Sequence, residues 1–214
     1  METKLYSEVI NKLKHELGYT QGIAVSSNGN CGGLALLWKP ESKVEIHKFS
    51  KWYIDAFVDS DNNGDVWHLT GFYGHPNTSK REETWTLLES LASISLLPWL
   101  CIGDYNEITK VAEKEGGNER PPRQMARFRG VMHHCGFVDL GFYGAPFTWF
   151  KNHSDEGCLK IRLTEGWQLV HGDRNSLKLL SIILKISFRP PFSCTPNSFN
   201  EEISAKETQQ TFSV

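Results

Sequence analysis

The first third of the chain contains short runs of β-forming residues separated by glycine-rich turns, and this pattern constrains the fold more than any other feature. Two of the turns, NGNCGG (28–33) and DNNGD (61–65), are typical of tight connections between neighbouring strands. We therefore predict consecutive β-hairpins. The runs are GIAVS (22–26), LALLWK (34–39), VEIHKF (44–49), WYIDAFV (52–58) and VWHLTGFY (66–73).

A segment with apolar residues at helical spacing precedes these runs. Residues 3–17 carry an apolar residue at every fourth position, which predicts an amphipathic helix, and Gly18 is suited to end it. The apolar positions are Leu5, Val9, Leu13 and Leu17.

A strand–helix–strand unit follows the hairpins. Ser79 and Glu82 form a capping-box pattern, which predicts the start of a helix that ends before the strand WLCIG (99–103). A further helix is predicted after Pro121 and Pro122. The apolar stripes of the two helices are Trp85, Leu88, Leu91 and Ile94 in the first, and Met125, Phe128, Met132 and Cys135 in the second. The remaining strand candidates are FVDL (137–140), FTWF (147–150) and CLKIRL (158–163).

Hairpins mixed with a strand–helix–strand crossover favour an α/β sandwich, with sheets inside and helices outside. The length of 214 residues and a 39% hydrophobic content are sufficient for one sizeable core. We place the domain at residues 1–165. Residues 166–214 lack the regular alternation of apolar runs and turn residues and become rich in Pro, Ser, Thr and Gln, so we expect a divergent, partly disordered tail.

The charge and the cysteines restrict the functional class. Lys and Arg number 23 against 25 Asp and Glu, so the net charge of −2 provides no overall attraction to nucleic acid or to anionic membranes. The 5 cysteines include no C-x-x-C pair and are typical of a reduced, intracellular protein. The apolar run LLSIIL (179–184) is too short to span a bilayer, and the start of the chain lacks a signal-peptide pattern. We expect a soluble, intracellular chain.

Two patterns suggest metal sites and fail on inspection. DSDNNGD (59–65) resembles the start of an EF-hand loop, but Thr70 occupies the position of the bidentate glutamate, and strands flank the segment. A hairpin turn explains it better. His133 and His134 are adjacent on a helix and point about 100° apart, so they do not share a ligand face.

Arg123 and Arg127 lie four residues apart on the predicted third helix and share a face that could bind phosphates. The alternative is an exposed polar face whose arginines pair with Glu113, Glu115 or Glu119 nearby. The sequence leaves both readings open and slightly favours the second.

The strand WLCIG runs directly into Asp104, Tyr105 and Asn106. The simple explanation is an Asx-rich turn. However, residues two apart in a strand point the same way, so Asp104 and Asn106 would project together from a strand's carboxyl end, where sites form in α/β sheets. A carboxylate can exchange a proton with water or a leaving oxygen, and an amide can donate to a phosphoryl oxygen. A second strand end, GFYGHPN (71–77), offers Tyr73 and Asn77 as further donors to phosphate.

The ordered series of motifs resembles the endonuclease/exonuclease/phosphatase family, and most closely the endonuclease domain of plant non-LTR (LINE-type) retrotransposons. The resemblance runs from residue 1 to about 163. It rests on CGGLALLW (31–38), GFYGHPN (71–77), LPWLCIGDYNEI (97–108), KEGGNERPPRQM (114–125) and FRGVMHHCGFVDLGFYGAPFTW (128–149).

This resemblance implies a four-layer α/β sandwich and Mg²⁺-dependent hydrolysis of phosphodiesters or phosphomonoesters. By the same resemblance Glu2 is the metal-ligand glutamate, Tyr73 contacts phosphate, Asp104 is the acid/base aspartate and Asn106 is its amide partner. Thr148 and Trp149 would lie near the substrate-facing rim. The implied partner is DNA, the implied state a monomer, and the implied location the nucleus.

The sequence also departs from the family pattern. In the family, a strand that ends in a catalytic Asn precedes the glutamate, whereas this chain starts at Met1. The segment that supplies an aspartate in the family reads Arg162, Leu163, Thr164 and Glu165 here. The closing Ser-Asp-His motif of the family is absent from this sequence. We therefore expect a domain truncated at its N-terminus and divergent at its C-terminus, with weak or no nuclease activity, since such groups act as a unit. The alternatives are a non-catalytic remnant that at most binds nucleic acid, and a small-molecule phosphatase of the same fold.

Overall fold

The computed structural model describes residues 2–29, 31–59, 64–140, 147, 149–153, 157–162 and 164–169, which all fall in one compact unit, Met1–Leu179. Thr148 and most of the expected tail lie outside the described residues. In chain order the elements are α1 (Ser7–Glu16), β1 (Gln21–Asn28), β2 (Cys31–Trp38), β3 (Lys43–Phe49), β4 (Tyr53–Asp59), β5 (Trp67–Tyr73), α2 (Arg81–Ala92), β6 (Trp99–Asp104), β7 (Lys114–Glu115), α3 (Pro122–His134), β8 (Phe137–Asp139), β9 (Trp149–His153), β10 (Gly157–Ile161) and β11 (Thr164–Leu169).

Within the described residues the strands form three sheets, ordered β1-β2, β7-β10-β9 and β3-β4-β5-β6-β11-β8. The predicted hairpins are confirmed, because β1–β2, β3–β4 and β4–β5 are antiparallel pairs. The β4–β5 pairing also confirms the hairpin interpretation of DSDNNGD. The predicted crossover is confirmed too: β5 and β6 are parallel, and α2 connects them.

The large sheet is covered on both faces. Adjacent residues of a strand point to opposite faces, so Phe72 packs with Trp85 and Phe128 of the helices, while Tyr73 packs with Leu34 of the β1–β2 hairpin. The helix α1 lies against that hairpin. The layers are therefore helices, large sheet, hairpin and helix, which confirms the α/β sandwich.

The first helix is shorter than predicted and buries a different residue. Residues 2–5 instead follow the edge of β2, where Thr3 N donates to Gly33 O at 2.8 Å and Lys4 N to Gly32 O at 2.9 Å. The prediction of a helix from residue 3 was wrong because β2 offers these backbone partners. The apolar stripe was wrong as well: Ile10 is buried, whereas Val9 and Leu17 are 39% and 63% exposed.

The capping-box prediction was also wrong. Asn77 Oδ1 accepts from Ser79 N at 3.0 Å and so caps a short 3₁₀ turn, Thr78–Lys80, that leads into α2. Further along the chain, β11 is a strand that the sequence pattern did not predict. It pairs with both β6 and β8 and extends across residue 165, where the sequence places the domain boundary.

No helix in the described part of the chain is long and apolar enough to cross a membrane.

Candidate active site

The candidate site forms where the parallel strands β5 and β6 end side by side. Tyr73 and Asp104 are register partners, and Gly74 N donates to Asp104 O at 2.7 Å just beyond them. The carboxyl ends of adjacent parallel strands meet at one edge of a sheet, which is where α/β proteins place their sites. The segments GFYGHPN and GDYNE, separated along the chain, thus meet at a single place.

Two glycines make this close approach possible. A Cβ at Gly103 would overlap the Phe72 carbonyl oxygen, and a Cβ at Gly74 would overlap the Tyr105 carbonyl oxygen. Both contacts are with backbone, which cannot move aside as a flexible side chain can. The two glycines therefore set the spacing of the strand ends.

The turn after β6 is held by the candidate residues themselves. Asn106 N donates to Asp104 Oδ1 at 2.9 Å, and Asn106 Nδ2 donates to Gly74 O at 2.9 Å. Asn106 adopts a positive φ of 55°, a conformation that asparagine tolerates better than most residues. The Asx turn expected on simple grounds is thus present, and it positions the Asp104 carboxylate.

Glu2 reaches the same place from the start of the chain. It bridges to Leu34 of β2, and its Oε1 accepts from Gly32 N at 2.8 Å. The Tyr73 side chain is hydrogen-bonded to Glu2. Lys4 Nζ lies 3.7 Å from Glu2 Oε2. The structure therefore brings Glu2, Tyr73 and Asp104 together, with a lysine that the sequence analysis did not single out.

The site favours the protonated forms of Asp104 and Tyr73. Burial raises the pKa of Asp104 to about 7, and the negative charge of Glu2 adds to the increase; the Asn106 N–H and the positive charges of Lys4 and Arg81 oppose it. Burial raises the pKa of Tyr73 as well, with its hydrogen bond to Glu2 as a further cause. Near neutral pH Asp104 can consequently either take or give a proton, as a general acid–base group must.

A buried ion pair supports the turn from behind. Arg81 Nη1 donates to Glu107 Oε2 at 2.7 Å, and the Glu107 side chain is fully buried. Glu107 Oε1 accepts from Ile108 N at 3.0 Å, and Arg120 Nε lies 3.6 Å from it. Sequence reasoning missed this pair. Glu107 follows Asn106 directly, but nothing local indicates that it points inward toward an arginine of α2.

Structural comparisons identify the architecture around this site. No protein-family model and no curated protein matches the sequence. Among solved structures, the endonuclease domain of TRAS1, a telomere-specific non-LTR retrotransposon, aligns with TM-score 0.51 at 10% identity over 77% of this chain and 80% of that chain. A humanised TDP2 from D. rerio aligns with TM-score 0.52 at 17% identity over 78% and 67%. The 3′ phosphatase NExo from Neisseria, bound to product DNA hairpin, aligns with TM-score 0.53 at 14% identity over 78% and 73%.

The chain has the endonuclease/exonuclease/phosphatase fold. At these identities the likeness establishes the fold alone. The predicted α/β sandwich is therefore confirmed, whereas the N-terminal truncation, the C-terminal divergence and the plant LINE assignment stay predictions.

The arginines expected to bind phosphate have different surroundings within this fold. Arg127 Nη2 lies 2.6 Å from Glu82 Oε1 and Arg127 Nη1 lies 2.9 Å from Glu89 Oε1, so Arg127 links α3 to α2. These partners are not the glutamates that the sequence analysis named. Arg123 is exposed on α3.

The remaining candidates lie on nearby elements. Asn77 is exposed, and its side-chain oxygen is occupied by the cap described above. Trp149 packs against Ile108, Met125 and Ile161, so it is adjacent to the segment that follows Asn106.

The acidic groups fit a divalent cation only in part. Among the described residues, no group of three or more His, Cys, Asp or Glu side chains is placed to hold a metal ion. However, Mg²⁺ is commonly held by one or two carboxylates together with substrate phosphates. Glu2 lies near enough to Asp104 for its charge to raise the pKa of that carboxyl, so these are the two carboxylates that the site offers. These two residues would hold Mg²⁺ weakly, with a substrate completing the coordination.

Proposed function

We propose that this chain hydrolyses phosphodiester bonds of DNA at the Glu2–Asp104 site, in a slow, Mg²⁺-dependent reaction. The observation that carries the proposal is that the Glu2 carboxylate, at the start of the chain, meets the Asp104 carboxylate at the end of the parallel strand β6, where the pKa of Asp104 is raised to about 7. The shared fold supports it: one structural neighbour is a retrotransposon endonuclease domain, and another is a 3′ phosphatase bound to DNA.

The residues of the chain have distinct roles in this proposal. Asp104 takes a proton from the attacking water or gives one to the leaving oxygen. Asn106 uses one amide hydrogen to hold the turn and has a second to offer a phosphoryl oxygen, because an amide carries two N–H donors. Tyr73 is 3% exposed and orients Glu2 through its hydroxyl group. Mg²⁺, when bound, would supply positive charge that stabilises the transition state.

The proposed reaction is slow because the described residues around Asp104 form an incomplete set of catalytic groups. The charged groups that act on the pKa of Asp104 in the described residues are Glu2, Lys4 and Arg81, with no histidine among them. The backbone of Thr164 pairs with Asp104 in the β6–β11 register, at the position where the family resemblance implies an aspartate. A missing acid–base partner typically costs a hydrolase about 10²–10⁴-fold in rate.

The finer assignments belong to the same proposal: a plant LINE-type retrotransposon endonuclease domain, monomeric and acting in the nucleus on DNA. We also propose the division into a domain at 1–165 and a divergent tail at 166–214, of which residues 166–169 belong to β11. The competing function is nucleic-acid binding without hydrolysis. The sparse set of metal ligands in the described residues favours it.

A plasmid assay separates the two functions. Purified protein is incubated with supercoiled plasmid in Mg²⁺ or in EDTA, and DNA binding is measured in parallel by gel shift. We expect weak nicking in Mg²⁺ that Asp104→Asn abolishes, while the matched control Asp65→Asn, an exposed aspartate between β4 and β5, retains it. Nicking that survives Asp104→Asn contradicts the proposal, and binding without any nicking supports the non-catalytic alternative.

A further inference from the structure

A row of aromatic rings leads from the candidate site to the surface. Trp52, in the turn between β3 and β4, stacks on Tyr73 with ring centroids 6.0 Å apart and planes 18° apart. The His75 ring lies 4.8 Å from Trp52 at 37°. Tyr73 is buried, whereas Trp52 and His75 are partly exposed. The outer members of the row therefore present aromatic surface beside Tyr73 and Gly74, the residues that pair with Asp104 and Asn106 at the strand ends.

Hydrogen bonds hold these rings in place. Tyr73 N donates to Trp52 O at 2.7 Å, which ties the β3–β4 turn to the end of β5. Asn77 N donates to His75 Nδ1 at 3.0 Å, an arrangement that requires a neutral ring with its proton on Nε2. His75 N in turn donates to Thr84 Oγ1 at 3.1 Å. Little conformational entropy would be lost when a ligand binds to such a fixed surface.

Charged side chains lie near the same rings, namely two lysines and the carboxylate of Glu83. The Lys51 ammonium lies 4.8 Å from the Trp52 ring centroid. Burial is the main cause of a lowered pKa at His75, and the ammonium groups of Lys80 and Lys51 also lower it, while the carboxylate of Glu83 opposes them. The two lysines are thus near His75. Aromatic rings beside cations are the combination that binds single-stranded nucleic acid, because bases stack on the rings and cations attract the backbone.

We propose that Trp52 and His75, flanked by Lys51 and Lys80, form a stacking subsite for an unpaired nucleobase next to the phosphodiester that Asp104 would act on. This proposal rests on the proposed function for the identity of the ligand, but it concerns binding and not hydrolysis. Lys51 is exposed and flexible, so an arriving base displaces its ammonium from the Trp52 ring and leaves it free to bind a phosphate. A base inside a duplex has no open face, so the subsite selects single-stranded or locally opened DNA.

Binding is measured without catalysis. Fluorescein-labelled dT10 and a blunt 10-base-pair duplex are titrated with the full chain in EDTA, at fixed salt, by fluorescence anisotropy. Trp52→Leu removes the ring and keeps an apolar side chain, and Trp38→Leu is the matched control, a partly exposed tryptophan at the far end of β2. We expect Trp52→Leu to weaken dT10 binding at least about fivefold, the lower end of a single stacking contact, and to leave duplex binding within about twofold.

A second pair of variants tests the cation. Lys51→Gln should weaken dT10 binding and reduce its salt dependence, whereas Lys12→Gln, an exposed lysine on α1, should change neither. The proposal is overturned if wild-type protein does not bind dT10, if Trp52→Leu binds it as wild type does, or if Trp52→Leu weakens duplex binding equally.

Fluorescence keeps the test decisive if Trp52→Leu does not fold. Saturating dT10 should quench the tryptophan emission of wild type, and Trp52→Phe should lose most of that quenching while it still binds. Equal quenching in the two proteins refutes stacking on Trp52. Stacking without plasmid nicking would refute hydrolysis alone, and nicking without stacking would refute this subsite alone.

Discussion

Replacing Asp104 with asparagine should stabilise the protein above neutral pH. The pKa of Asp104 rises from 3.8 to about 7 in the folded chain, chiefly because of burial. At about 1.36 kcal/mol per pKa unit, ionising Asp104 costs the folded state roughly 4 kcal/mol, an upper limit because the side chain is partly exposed. Asparagine avoids this cost and keeps an oxygen that can accept from Asn106 N.

The pH window follows from the direction of the shift. Because the pKa of Asp104 is higher in the folded state than in the unfolded state, the folded state binds more protons between about pH 4 and pH 7. The stability of the wild-type protein therefore falls as pH rises through that window. Asp104→Asn should match wild type below pH 4 and exceed it by up to roughly 4 kcal/mol at pH 8.

Urea unfolding followed by tryptophan fluorescence at a series of pH values measures this difference. The control is Asp65→Asn, which removes the same charge at an exposed position and should not reproduce the pH-dependent gain. A constant difference between Asp104→Asn and wild type at all pH values, or a less stable variant at pH 8, would show that burial does not destabilise the Asp104 carboxylate.

Three further predictions address the scaffold and the cation. Gly103→Ala should destabilise the fold by about 3 kcal/mol or more in urea unfolding, because the added Cβ overlaps backbone atoms. The control Gly130→Ala, in open space on α3, should be neutral or stabilising by up to about 1 kcal/mol. Equal stabilities of the two variants would contradict the close approach of the strand ends. Arg127→Ala should lower the free energy of unfolding by roughly 0.5–1 kcal/mol at low salt and by less in 1 M NaCl, because salt screens its ion pairs. The control Arg123→Ala should change the free energy of unfolding by close to zero. A loss of stability that does not depend on salt would mean that the packing of Arg127, and not its charge, dominates. Calorimetry should give a Mg²⁺ affinity no tighter than about millimolar, weakened further by Glu2→Gln, and tight stoichiometric binding would refute the two-carboxylate site.

The features that the sequence predicted correctly are those that depend on residues close together in the chain. The stripe of Met125, Phe128, Met132 and Cys135 is buried as its helical spacing indicates, because residues three and four apart on a helix share a face. The hairpins follow from turn chemistry between β-forming runs. Asp104 and Asn106 could be recognised because a polar pair directly after an apolar strand is itself a local signal.

Tertiary contacts decided the rest. The meeting of Glu2 with Tyr73 and Asp104 depends on how the start of the chain lies along β2. The spacing of these three residues in the sequence does not predict that they meet. The partners of Arg127 lie on α2 and not nearby in the chain, because helix packing brought those carboxylates closer than the sequence neighbours. The raised pKa of Asp104 likewise comes from burial and from Glu2, which only the folded chain supplies. Apart from the start of α1 and the strand β11, the sequence by itself thus determined where strands and helices form and which strand end carries the acid, because those depend on short-range periodicity. The grouping and charge state of the site were decided by the tertiary structure, because they depend on distances between segments remote in the chain.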